Sequence, residues 1–274
     1  VDPQLKVNVS AGLESDNYSN LDMQSRSVSG FGFDWAPTER TKLTVKKDKR
    51  SFGDGHTIDF SHATALTAWK FVDSRSVIVP GQQEVASQLS PYYDLFNAML
   101  ALVPPSQRAQ AASQLLTLFQ SQGISTAQIF GNIQSTQPFI QRLQQASVSL
   151  MGANNTVTLS AQKSRSERIG TGIGLADQDF LNTANIRQSG LTASWAHKLS
   201  PESSLTLNAL TSTSKGDTSS LDSQLRSLSL LYTTKLGPNT TASLGVRQNN
   251  FDNASNTTGD YTEHAITGTL SASF

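Results

Sequence analysis

The chain has no cysteine, no net charge and little apolar material. Without cysteine no disulfide can form, which fits an envelope protein that crosses the periplasm unfolded without oxidising. Its 21 basic and 21 acidic side chains cancel, which argues against a nucleic-acid footprint. No run approaches eighteen apolar residues, so a transmembrane helix is excluded. Only 36% of the 274 residues are apolar, while Ser, Thr, Asn and Gln are abundant. A soluble protein of this length needs a dense core, whereas a barrel needs one apolar skin around a polar lumen. The chain opens at VDPQLKV with no basic and apolar leader, and so reads as a mature protein or a fragment.

What is present is alternation. In AITGTLSASF every second residue is apolar up to Phe274, with Thr and Ser between. LKVNVSAGL puts Leu5, Val7, Val9, Ala11 and Leu13 on one face and Lys6, Asn8 and Ser10 on the other. The same period of two returns in SGFGFDW, LTASWAHKL, SLTLNA, SLSLLYTTKL and TASLGV, and in shorter form at TKLTV, TIDFSH, AWKFV, ASVSL and TVTLSA. About twelve strands are expected, each about ten residues long, enough to cross a band of roughly 25 Å at a tilt near 40°.

The joins fix a topology. FDWAPTERTKLTV, AHKLSPESSLTL and TTKLGPNTTASL each centre a short turn on proline, which cannot donate to a ladder. GANNT and ATALT are also tight. Between them come longer connections: DNYSN, FGDGH, the segment from Val79 to Gln141, SERIGTGIGLADQDFLNTA, SKGDTSS and FDNASNTTGDY. Short joins on one side and long ones on the other describe an antiparallel up-and-down outer-membrane β-barrel, all-β and transmembrane, with both termini in the periplasm.

Parity assigns the faces. Lys6, Glu14, Asp34, Lys46, Asp48, Arg50, Asp59, Lys70, Lys198 and Arg247 are the candidate lumen-lining residues. Lys47, Lys49 and Asp73 point outward and are expected near the outer rim. Trp35, Trp69, Trp195, Tyr232 and Phe274 fall on the lipid face near the periplasmic ends, forming an aromatic girdle.

Residues 81 to 141 break the pattern. Ser90 as N-cap and Pro91 at the first helical position precede Tyr92, Leu95, Phe96, Met99 and Leu102 at helical spacing; Pro104 and Pro105 stop that helix. A second helix carries Ala112, Leu115, Leu116 and Phe119 before Gly123. The expected domain structure is thus one barrel over 1–274, with a helical insertion over 81–141 in an extracellular loop, as a lid or plug.

VDPQLKVNVSAGLESDNY, GFGFDWAPTERTKLTV and KRSFGDGHTIDFSHATALTAWKFVDSRSVIV carry a more specific likeness. They include W-x-P-x-E-R-T at Trp35 to Thr41, R-x-F-G at Arg50 to Gly53, F-S-H at Phe60 to His62, and the pair Ser74 and Arg75. With YYDLF at 92 to 96, Arg108 and NTVTLS at 155 to 160, the chain resembles the PEP-CTERM-associated outer-membrane β-barrel family of exosortase and exopolysaccharide gene clusters in Gram-negative bacteria. The last hundred residues match only as generic barrel strands. The resemblance implies further sequence ahead of the VDP stretch, so the twelve strands are a whole barrel or the C-terminal part of a larger one. It implies a link to exopolysaccharide export or surface-matrix assembly, and supplies no site.

Inward Ser, Thr and Asn with mixed charges suit a conduit for a hydrated polymer or small solutes. A polysaccharide-associated conduit gated by the insertion, a general solute porin and a structural or docking barrel are the competing functions. Expected partners are outer-membrane lipid, polysaccharide and envelope export components, with no nucleic acid and no cofactor. Enzyme signatures are weak: GTGIG at 170 to 174 lacks a following lysine and helix, and no spacing singles out a Ser, His and Asp triad. His56 and His62 share one parity and Asp59 has the other, so these three cannot converge on a metal.

Overall fold

The computed structural model describes residues 4–16, 23–79, 138–169, 183–217, 222–237, 239–253 and 260–272. They form twelve strands: β1 Leu5–Asp16, β2 Gln24–Thr38, β3 Thr41–Arg50, β4 Gly53–Ala63, β5 Thr67–Ile78, β6 Phe139–Met151, β7 Asn155–Arg168, β8 Asn185–Lys198, β9 Ser203–Lys215, β10 Ser223–Gly237, β11 Thr240–Asn253 and β12 Tyr261–Ala272. Each pairs antiparallel with its sequence neighbour, so the order in the sheet is the order in the chain. No pairing joins β1 to β12 among the described residues. The closed ring expected from the sequence is therefore an open twelve-stranded sheet here, and its edge strands are exposed on nearly every residue.

Five connections at one end are short: those of β2–β3, β4–β5, β6–β7, β8–β9 and β10–β11. Proline shapes one of them. The β2–β3 register shifts between Trp35 and Thr38, across Pro37, where a residue without an N–H breaks the ladder. The β10–β11 register also shifts, between Lys235 and Gly237. The other six connections leave the opposite end, and five of them join strands by longer stretches of sequence. FGDGH is the exception in length: Ser51 and Phe52 alone join β3 to β4, because Gly53 takes φ +108° and lets the chain reverse within two residues.

The strands run from ten to fifteen residues, longer than expected. β6 begins at Phe139, so the last residues of the 81–141 insertion are strand. Its expected helices, at 90–123, lie outside the described residues, as do GTGIG and Phe274.

Side chains divide by face. Along β7, Ser160, Gln162, Ser164 and Ser166 are buried while Leu159, Ala161, Lys163 and Arg165 between them are exposed. Across the described residues five apolar residues are buried, against fifteen polar or charged ones, and twenty-two large apolar side chains are exposed. That is the reverse of a water-soluble fold.

Hydrogen-bonded rows climb steadily relative to the strand ends. From Leu5, the first residue of β1, direct partners run through Trp35, Leu43, Phe60, Phe71, Ala146, Ala161, Leu191, Thr211, Arg226 and Asn250 to Thr262. β12 ends ten residues further on, at Ala272, beside the same edge as Leu5.

Candidate functional site

The ladder register places all ten candidate lumen residues on the polar face, nine of them in three groups. The first covers β1 to β4. Lys6 lies opposite Asp34, and Asp34 accepts a 2.6 Å hydrogen bond from the Thr44 hydroxyl. Lys46 and Asp48 lie opposite Gly32 and Gly30. A Cβ at Gly30 would collide with the Asp48 carboxylate and the Ser10 hydroxyl, so glycine is what lets Asp48 lie across β2. Near the long-loop end Arg50 donates to both Glu14 oxygens, and Glu14 also accepts the Ser51 backbone N–H at 3.3 Å.

The second group is Lys70 with Asp59, joined at 2.8 and 2.9 Å; Lys70 is only 8% exposed. The third is Arg247, which donates to Glu263 at 2.6 Å, while Asn249 donates to the same carboxylate at 2.8 Å and accepts from Ser227 at 2.6 Å. Lys198 lies opposite Ser204 at the short-turn end. Cations and carboxylates alternate, so this face has no single-sign field of the kind that selects ions.

Between these groups the polar face of β6 to β10 carries amides and hydroxyls. Gln145 lies directly opposite Gln162, and Ser147 opposite Ser160. Gln145 Oε1, Ser147 Oγ, Gln162 Oε1 and Ser229 Oγ are buried with no hydrogen-bond partner among the described residues. An unpaired buried polar atom costs about 1–3 kcal/mol, so these groups are suited to water or a hydroxylated solute. A buried apolar cluster, Phe139 and Ile186 with Ile78 against them, sits on the same face at the long-loop end, where segment 80–137 leaves β5 and re-enters at β6.

The apolar face holds four of the five girdle aromatics. Trp35, Trp69 and Tyr232 are exposed, and each stands within a few residues of a short turn. Trp195 shares that face, opposite Val157 and Leu207, and its indole donates to Asn155 at 3.0 Å. His56 and His62 also lie on this face and Asp59 on the other. His56 contacts Asp73 and His62 contacts Thr41. Among the described residues no set of three His, Asp or Glu side chains could hold a metal ion.

Sequence reading missed a group of outward cations. Besides Lys47 and Lys49, the apolar face carries Arg75, Arg142, Lys163, Arg165, Arg187 and Lys215 at the long-loop end. Extending the parity of Trp69, Leu159, Trp195 and Leu207 upward along their own strands would have found them. At the same end Asp217 clasps the start of β8: its carboxylate accepts the Ala184 and Asn185 backbone N–H groups at 3.1 and 3.0 Å and the Asn185 side-chain amide at 3.2 Å. The Asn185 amide and these backbone donors hold that carboxyl below the usual aspartate range.

No protein-family model matches the chain, and no curated protein matches it in sequence. Among solved structures it is similar to a loop-deletion variant of OmpT, an outer membrane protein of Vibrio cholerae, with 6% identity, TM-score 0.42, and 98% of this chain and 99% of that chain covered. It is similar also to OprD of Pseudomonas aeruginosa, with 12% identity and TM-score 0.39 over 98% and 66% of the two chains. The toluene transporter TodX of Pseudomonas putida gives 8% identity and TM-score 0.32 over 98% and 78%. At these scores the likeness carries no inference about function.

Proposed function

We propose that the sheet is the wall of an outer-membrane β-barrel whose polar face lines a water-filled conduit. The observation that carries this is the inverted polarity of the sheet. Leaving a Leu, Val or Phe in water rather than burying it costs about 1.5–3 kcal/mol. Twenty-two large apolar side chains on display, most of them on one face, would cost several times the roughly 5–15 kcal/mol that holds a domain folded. Lipid against that face removes the cost, and water against the other satisfies Gln145, Ser147, Gln162 and Ser229.

The climb of the rows supports closure of the sheet into a barrel. Ten residues of stagger at about 3.3 Å, accumulated over eleven strand spacings of about 4.8 Å, correspond to a tilt of roughly 32°. Two more residues taken up between β12 and β1 give about 35°, the lower end of the range for closed barrels. Twelve strands at that tilt enclose a ring about 22 Å across. Short turns then face the periplasm with both termini, and the longer connections face outward.

Mixed charge and abundant hydroxyls favour hydrated, uncharged solutes. The resemblance to the PEP-CTERM-associated family narrows this to a conduit linked to exopolysaccharide export, gated by the insertion. The apolar cluster of Phe139, Ile186 and Ile78 at the mouth supports that gating, since the amphipathic helices expected from the sequence of the insertion would need such a surface. A general solute porin is the second reading, favoured by the absence of a single-sign field. Single-channel conductance with and without residues 82–136 separates them. A rise on deletion supports the gate, unchanged current supports a simple porin, and no current in either form overturns the conduit in favour of a docking barrel.

A further inference from the structure

On the apolar face, at the long-loop end, one row of direct partners reads Lys47, His56, Arg75, Arg142, Arg165, Arg187, Lys215 across seven adjacent strands. Like charges placed directly opposite are destabilising, yet here Arg faces Arg three times in succession. Overall charge is zero, so composition does not force this. With Lys49 and Lys163, the outward face of β3 to β9 holds eight cations against three carboxylates, Asp54, Asp73 and Glu167.

Those carboxylates sit toward the β4–β6 side and the upper edge. Asp73 accepts from Arg142 at 2.9 Å and contacts His56 at 3.1 Å, and Glu167 pairs with Arg165 at 2.8 Å. Lys163, Arg187 and Lys215 form no ion pair among the described residues, and all three are exposed. Directly below them lies a groove of about 470 Å³, floored by Phe71, Ala146, Ala161 and Leu191, with Lys163 and Ser189 on its rim. An apolar floor under a cationic rim matches acyl chains attached to phosphate.

We propose that this surface binds a phosphorylated, multiply acylated glycolipid of the lipid A class, its phosphates on Lys163, Arg187 and Lys215 and an acyl chain in the Ala146–Ala161 groove. Guanidinium takes phosphate in a bidentate fork, and an ammonium adds a mobile point charge. The bound phosphates remove the repulsion that the row otherwise carries. This site rests on the membrane-barrel reading, because only then does the groove meet acyl chains and the row meet headgroups of the outer leaflet.

The full chain, purified free of lipid A in a neutral detergent, is titrated by native mass spectrometry and by its thermal unfolding midpoint. Probes are bisphosphorylated lipid A, its dephosphorylated form and inorganic pyrophosphate. Variants are Lys163→Gln/Arg187→Gln/Lys215→Gln, the groove-filling Ala161→Leu, and Arg40→Gln at the opposite rim as a charge control. The expected result is tight binding and a raised midpoint with lipid A for the wild type and Arg40→Gln. Affinity falls tenfold or more in the triple variant and severalfold in Ala161→Leu. The triple variant without lipid unfolds at the wild-type midpoint or higher, since repulsion has been removed. Equal affinity for the dephosphorylated lipid, equal affinity in the triple variant, or pyrophosphate binding as tightly as lipid A overturns the proposal. Insertion into phosphatidylcholine vesicles is measured separately; its failure would sink the barrel and not merely the lipid site.

Discussion

Lys70 donates to both oxygens of Asp59 across a diagonal of the β4–β5 ladder, and the ammonium end of that pair is almost fully buried. Asp59→Asn leaves a buried cation short of its counter-charge, a loss of about 1–3 kcal/mol. The double variant Asp59→Asn/Lys70→Met removes both charges and is expected to recover much of that loss. Urea midpoints in micelles check this; a double variant less stable than the single one would mean that the uncompensated cation is not what destabilises Asp59→Asn.

Depth along the apolar face sets the cost of a charge. Leu230→Arg, in the middle of β10, is expected to cost about 2–4 kcal/mol, and Thr234→Arg, on the same face nearer the short turn, about 0–1 kcal/mol. Reversible unfolding from phosphatidylcholine bilayers measures both. Equal costs would show that no hydrocarbon gradient acts on this face.

The Asp217 clasp responds to acid. Its carboxyl is held below the ordinary value by the Asn185 amide and by two backbone N–H groups, so its contribution is present above the unfolded aspartate range, near about 3.9. That contribution disappears as pH falls through the lower folded value. Amide resonances of Ala184 and Asn185 are expected to hold steady down to about pH 4 and to shift only below it, and to lose that response in Asp217→Asn. Movement centred at or above the ordinary aspartate value would contradict the clasp.

Closure has a covalent test, made clean by the lack of native cysteine. Val7→Cys combined with Leu270→Cys or Ala272→Cys, both on the same face by parity, is expected to form an intramolecular disulfide in the folded protein. Whichever partner reacts fixes the final stagger of the ring. Disulfides only between separate chains would mean that β1 and β12 remain open edges.

Much of the sheet was legible in the sequence because the apolar band imposes a strict period of two. Leu5 to Leu13, Trp195 with Leu191, and Leu228 to Tyr232 all obey it, and proline marked where the band ends. Outside the band both faces meet polar surroundings and the period fades. That is why Phe139 to Gln141, at the start of a strand with Phe139, Gln141, Leu143 and Gln145 successively on one face, reads as the end of the helical insertion. It is also why Lys163, Arg165 and Arg187 escaped notice: they continue the parity of Leu159 and Leu191 beyond the point where apolar residues stop. The FGDGH turn was misjudged for a different reason, since a glycine-rich stretch fits a long loop as well as a two-residue reversal, and only the positive φ of Gly53 decides. The ion pairs of the polar face join residues far apart in sequence, such as Glu14 with Arg50, and parity alone gives the face but not the partner.

The inside-out wall is tested most directly by where water and lipid reach alternate residues of one strand. Spin labels at Leu159, Ser160, Ala161 and Gln162, introduced singly in a cysteine-free background and reconstituted in bilayers, are exposed to a water-soluble nickel chelate and to lipid-dissolved oxygen. Labels at 160 and 162 should relax with the chelate and those at 159 and 161 with oxygen. If all four relax with the chelate, or if 159 and 161 are shielded from both, the polar face does not line a channel through lipid.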